Sequence, residues 1–395
     1  MRVLKIFIIS VVSMLSFSCD GVDTPVDGGT GSGNNTIPGV DAPSVLTLDA
    51  NTFYIKADGA DKSTFVVSLD GVALTEGYTI SQIVDGQLQD YTADGWVSSV
   101  EAEARFVAFY EKDEERLESS AITVKAVNYD VPATVADPKP SSYDFVRRLF
   151  MVQFTGTECR NCPKMKQELE SFLSKEANSS RAVLASAHCG DFTGTDPARI
   201  NVPLHVALGV NEKPALVLDF YTTASYRLGW TENFPTQLTQ NFERLYQLSP
   251  ALAGMSVNSV IDGDKLRAKV SVKVAESSKF RVGAWILEDG IEGIQTGAPD
   301  QSYNIHNNCV RAVQGEVAAN EDKDKNKDYS GFSLGQLSKG DRAEYMFEFD
   351  IEQKWVLENC RLVVFITTPN TRDKYFVNNV IDCGTLTGQT AYDYK

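Results

Sequence analysis

Residues 147–176, RRLFMVQFTGTECRNCPKMKQELESFLSKE, change hydrophobic period half-way along. RRLFMVQF reads as a buried strand, whereas from Cys162 onward Met165, Leu169, Phe172 and Leu173 recur at helical spacing with charges between them. The same alternation continues downstream. RAVLASAH reads as a second strand, INVPLHVALGV as a short helix, PALVLDF as a third strand and FPTQLTQNFERLYQL as a closing amphipathic helix. Alternating strands and helices of these lengths predict an α/β layer structure over 148–250.

The junction of the first strand and the first helix carries Cys159 and Cys162 in a Cys-x-x-Cys arrangement. A thiol at a helix N terminus meets the positive end of the helix dipole and unpaired N–H groups, both of which favour thiolate. Arg160 and Lys164 push the same way and Glu158 opposes them. In a redox reading Cys159 is the exposed attacking sulfur and Cys162, one turn inside, the resolving one. The spacing alone also suits a structural staple. A zinc ribbon needs a second such pair, which the chain lacks.

On both sides of this region the pattern returns to strands. VLTLDANTFYIKA, STFVVSLDG, ARFVAFYEKD and AITVKAV, separated by Gly, Asp and Asn, predict an immunoglobulin-like β-sandwich over 43–128, followed by a Pro-rich linker over 129–147. Residues 251–395 contain LRAKVSVKV, FRVGAWILED, AEYMFEFDI, CRLVVFITTP and KYFVNNVIDC, with IDGDK as a hairpin turn, and predict a C-terminal β-sandwich domain. The expected fold is therefore multi-domain, α/β plus all-β. If the last two strands form a symmetric hairpin about PNTRDK, Cys360 and Cys383 face each other and can pair; a one-residue slip turns one thiol to the other face. Cys189 and Cys309 read as buried thiols.

The N terminus sets the compartment. MRVLKIFIISVVSMLSFSC has a basic start, an apolar run and small residues before Cys19, which marks 1–18 as an export signal. Cys19 is the candidate lipidation site of a bacterial lipoprotein, although Ser16 stands where such signals usually carry Leu; Ser16-x-Ser18 also suits ordinary cleavage. Residues 19–42 then form a Gly-, Asp- and Asn-rich tether. The expected location is the cell envelope, with the chain held to a membrane through Cys19, as an outer membrane lipoprotein facing the periplasm or the surface. With 37 Lys and Arg against 53 Asp and Glu, the net charge of −16 argues against a nucleic-acid partner. No cofactor motif is present. His188, Cys189 and His306 follow no metal-ligand spacing and read as structural.

The region around the two cysteines resembles thioredoxin-like proteins. GVNEKPALVLDF is similar to the thioredoxin segment that carries a cis-proline opposite the active site, and this resemblance makes Pro214 the cis-Pro candidate beside the disulfide. Glu158 replaces the Trp that commonly precedes the first Cys, and Gln153, which cannot accept a proton, replaces a buried Asp. Lys213 brings a charge where thioredoxins have an apolar residue. The lipoprotein signal, TGTECRNCP and YNIHNNCVRAV together resemble the outer membrane protein 28-related family over about residues 148–390. That resemblance implies an outer membrane location and a thioredoxin fold, with adhesive or receptor roles suggested for members.

Two functions stay open. In one, Cys159, Cys162 and Pro214 carry out thiol–disulfide exchange on exported proteins. In the other, the protein is a non-catalytic surface binding or adhesion lipoprotein in which the Cys-x-x-Cys disulfide is structural. One sulfur exposed beside Pro214 favours the first and two covered sulfurs favour the second.

Overall fold

The computed structural model describes residues 44–395, apart from 113–114, 190–193, 316 and 319–326. Cys19, and with it the expected signal and lipid anchor, lies outside the described residues. The chain is mostly β, in several sheets, one of them a mixed sheet with helices against it.

Near the N terminus two sheets close over Leu48, Phe53, Val67, Phe106 and Val124. VLTLDANTFYIKA, read as one run, is divided: Leu46–Ala50 pairs antiparallel with Ser63–Leu69, whereas Tyr54–Lys56 pairs parallel with Ile122–Val127 in the other sheet. The break falls at Asn51, whose side-chain oxygen accepts the Thr52 and Thr64 N–H groups at 2.9 and 2.8 Å and lets the chain cross between sheets.

Helices and strands form over 148–250 where the change of period places them. Leu149–Thr155 lies parallel to Ala182–His188 and antiparallel to Ala215–Leu218, and Arg227–Gly229 adds a short strand at that end. Period-2 alternation divides the first strand between two cores. Leu149 and Met151 meet Met165, Leu169 and Phe172 of the helix Cys162–Leu173 and Phe234, Leu238 and Phe242 of the helix Phe234–Leu248. Phe150, Val152 and Phe154 face the opposite way, into a core shared with Trp285, Val363 and Phe365.

That shared core reflects a topology the sequence does not announce. The sheet does not stop at residue 250: Ser186 pairs with Cys309, with the Ser186 N–H donating to Asn308 O at 2.7 Å. Through this joint the sheet continues into Cys309–Gln314, Ser278–Glu288, Cys360–Pro369 and Tyr375–Asp382. A second sheet of Arg342–Asp350, Lys265–Val274, Ala253–Asp262 and Gly388–Thr390 stacks on the later strands, burying Met255, Val270 and Phe347 against Val282, Ile286 and Val364. Gly283 faces the other side of its strand, toward the core of Phe150 and Trp285, where an added Cβ meets the Phe365 ring at 2.2 Å. Gly283→Ala is expected to destabilise the fold by about 1–3 kcal/mol through overpacking, read as a lower urea midpoint.

The expected pairing of Cys360 with Cys383 is corrected by the register. Val363 faces Asp382, and a bulge between Ile366 and Thr367 breaks the hairpin symmetry. Cys360 instead lies opposite Glu288 on the neighbouring strand, while the Cys383 N–H donates to Leu362 O at 2.9 Å. Both are free thiols.

Candidate functional site

The strand Leu149–Thr155 delivers the chain through a turn at 156–161 to the helix Cys162–Leu173. Pro163 in the first turn presets a helical φ and sacrifices no intrahelical hydrogen bond. Asn161 occupies the N-cap without a capping side-chain bond. The Cys162 N–H donates to Cys159 O at 3.2 Å, and the two sulfurs form a disulfide with the Cα atoms 5.4 Å apart. Arg160 and Lys164 are exposed.

The Lys213–Pro214 bond is cis. Lys213 and Glu158, two of the three residues that depart from the thioredoxin pattern, are brought together as an ion pair, and Lys213 Nζ also donates to Cys189 O at 2.6 Å. Their charges offset one another between the Cys159 turn and the Pro214 loop. Beyond Pro214 a groove of about 520 Å³ runs past Asn161, Val210, Lys213, Arg227 and Trp230.

A strap from the C-terminal part of the chain covers the turn on another side. The Gln295 side chain lies among four carbonyl oxygens, with Nε2 3.3 Å from Gly156 O, 3.1 Å from Thr157 O, 3.0 Å from Cys159 O and 3.2 Å from Thr296 O. The Thr296 N–H adds a 2.7 Å bond to Thr157 O. Gly297, at φ +75°, approaches so closely that a Cβ there lies 2.6 Å from Arg160 O. The consequence is burial of both cysteines: Cys159 is 9% exposed and Cys162 2%. The expected exposure of Cys159 is therefore not found in this disulfide state.

Behind Cys162 lies a cavity of about 230 Å³ whose walls include Gln153, Ser186, His188 and His306. Ser186 Oγ donates to Gln153 Oε1 at 3.3 Å. His188, at the end of its strand and 1% exposed, places Nδ1 2.8 Å from Asp196 Oδ2. Asp196 also accepts the N–H of Thr157 and of Ala198, each at 3.0 Å, so it ties the histidine to the turn that carries Cys159. Burial alone pushes the Asp196 carboxyl up; the hydrogen bond and charge of His188, with those two N–H groups, outweigh it and hold the carboxyl below its ordinary value. His306 lies edge-on to His188 with centroids 4.9 Å apart, and its Nε2 donates to Gly293 O at 3.0 Å. Burial first, and then His188, depress the His306 pKa to about 4, so that ring is neutral at pH 7.

Asp196 and Gln295 escape sequence reasoning because neither belongs to a motif; Gln295 reaches Cys159 O across 136 residues. Cys189 is buried and its thiol is pushed up to about 11 by burial; Cys309 is fully buried and also pushed up. Among the described residues no group of three His, Cys, Asp or Glu side chains is placed to hold a metal, and no helix is long and apolar enough to cross a membrane.

No family model matches the chain. No curated protein matches it either. Among solved structures the chain is similar to HBP35 of Porphyromonas gingivalis, at 15% identity over 64% of this chain and 78% of that one, with a TM-score of 0.48. Weaker similarity extends to a DUF4785 family protein of Legionella pneumophila, at 8% identity over 86% of this chain and 57% of that one, TM-score 0.19. A DUF3823 family protein of Bacteroides ovatus matches at 9% identity over 86% of this chain and 98% of that one, TM-score 0.17.

Proposed function

We propose that the protein is a cell-envelope lipoprotein, anchored through Cys19, that exchanges disulfides with exported proteins through Cys159 and Cys162 in a thioredoxin-like region. The observation that carries this reading is the position of the disulfide. It joins residues only three apart in sequence that the first helical turn already holds together. In the chain-entropy account so short a loop constrains the unfolded state least, about 2 kcal/mol or less. As a staple it contributes little; its position at a helix N terminus, in a turn whose Glu158 pairs with the Lys213 that precedes Pro214, supports sulfur chemistry. The resemblance to outer membrane protein 28-related lipoproteins belongs to the same proposal. In this reading the Gln295 strap and the Glu158–Lys213 pair are covers that must part before a substrate reaches Cys159.

Glutathione titration tests it. The expected reduction potential of the pair lies between about −120 and −270 mV, the range of catalytic dithiols. A value below about −300 mV, or no reaction with glutathione, overturns exchange. One observation favours the second reading, a binding or adhesion protein with a permanent disulfide: both sulfurs are covered. That low potential is its expected result.

A further inference from the structure

We propose that His188, oriented by Asp196, is the proton carrier for Cys162 during disulfide exchange, working through the cavity behind the disulfide. The inference rests on the exchange reading above and concerns how its inner sulfur gains and loses a proton.

Gln153, the side chain at the middle of the strand behind Cys162, is an amide and carries no titratable proton. His188 lines the same cavity as Cys162. Because Asp196 is an acceptor, Nδ1 of His188 holds the ring proton, and Nε2 is left with its lone pair as the basic atom. The arrangement is a base held in one tautomer by a buried carboxylate, with room in the cavity for water to bridge Nε2 and the sulfur. The other ionisable groups around the cavity do not take this role. His306 is neutral and donates Nε2–H to Gly293 O. Lys166 donates to Ile305 O at 2.8 Å and lies over the Tyr303 ring. Glu170 forms a long 3.9 Å pair with Lys166 from the half-open side, and the Cys309 thiol on the adjoining strand is pushed up by burial.

The balance is complete with a substrate dithiol alone. A substrate thiol gives its proton to solvent and its thiolate attacks the Cys159 sulfur; the Cys159–Cys162 bond breaks and the electron pair leaves on Cys162, which takes a proton from Nε2 of His188 in its imidazolium form, a proton received from solvent through cavity water, so that the ring returns to the Nδ1–H tautomer. The second substrate thiolate attacks the substrate sulfur of the mixed disulfide and displaces Cys159 as thiolate. The substrate loses two electrons and the protein pair gains them. In reverse, Nε2 takes the proton from Cys162 as that sulfur attacks.

The reverse step is accessible with 5,5′-dithiobis(2-nitrobenzoate) as probe. After reduction with dithiothreitol and desalting, the protein should release a first chromophore as Cys159 attacks and a second as Cys162 resolves the mixed disulfide. The Cys159→Ser, Cys162→Ser double variant supplies the background of the remaining thiols. His188→Gln keeps a donor for Asp196 but cannot carry a proton; it is expected to slow the second release about 100-fold or more, leaving a rate that rises with pH only as the Cys162 thiol itself ionises, with the first release unchanged. Asp196→Asn is expected to slow the second release as well. A second release at the unmutated rate and pH profile in His188→Gln overturns the proposal. No first release in the unmutated protein overturns the exchange reading instead. Nitrogen NMR of the unmutated chain gives a readout independent of the variants' folding: a His188 ring protonated at Nε2 rather than Nδ1 overturns the assignment.

Discussion

Glu344→Ala is expected to destabilise the folded chain by about 3–5 kcal/mol, the effect of leaving buried cations without their carboxylate. The Glu344 side chain is fully buried where the N-terminal strands meet the C-terminal sheet. Its carboxylate accepts the Phe53 N–H, Thr134 Oγ1 and Ser271 Oγ, each at 2.9 Å, pairs with Arg342 at 2.7 Å and lies 3.9 Å from Lys269. Arg342 extends the network to Asp49 at 3.0 Å and to the Ala50 carbonyl. Truncation therefore leaves the buried Lys269 ammonium and the Phe53 N–H without this carboxylate and takes from Arg342 one of its two carboxylate partners.

The same residue gives the pH dependence. Burial raises the Glu344 carboxyl, but Arg342 and then Lys269 outweigh it and hold it below its ordinary 4.5. A depressed carboxyl contributes stability that is present above that ordinary value and is lost as pH falls through the lower folded value. The urea midpoint should fall as the medium is acidified below about pH 4.5, and Glu344→Gln should flatten that dependence. Equal acid sensitivity in both proteins would place the effect elsewhere.

Gln295→Ala is expected to raise the rate at which iodoacetamide modifies reduced Cys159 by about 10- to 100-fold. The amide has two N–H groups shared among four carbonyl oxygens, and three of those carbonyls belong to the turn that carries Cys159. Removing it leaves buried acceptors unpaired, at about 1–3 kcal/mol. That cost falls on the closed state, so the open population rises in proportion. An unchanged rate, with the fold intact by circular dichroism, would show that the strap does not control access.

What the sequence discloses and what it conceals follow a physical division. The helix at Cys162–Leu173 and the strands at Leu149–Thr155 and Ala182–His188 are legible because each has its own hydrophobic period, set by residues a few positions apart. Arg227–Gly229 has three residues, too few to show a period. The Cys360–Cys383 expectation fails for a related reason: a hairpin centre found by symmetry assumes equal numbers of residues on both strands, and the bulge at Ile366/Thr367 breaks that assumption. At the candidate site the two cysteines and Pro214 stand out through local spacing and family resemblance. Gln295, Asp196 and His188 acquire their relation to Cys159 and Cys162 only through tertiary packing, for which a single sequence carries no signal.

The joint between Ser186 and Cys309 bears on how the molecule avoids sticking to its neighbours. Ala182–His188 would otherwise end its half of the sheet as a bare border of unpaired N–H and C=O groups, a template for another chain. Here the chain's own later strand occupies that border. A fragment ending near residue 250 would retain Cys159, Cys162 and the helices yet lose this cover, so residues 148–250 and the C-terminal strands are better cut and expressed as one piece than as two.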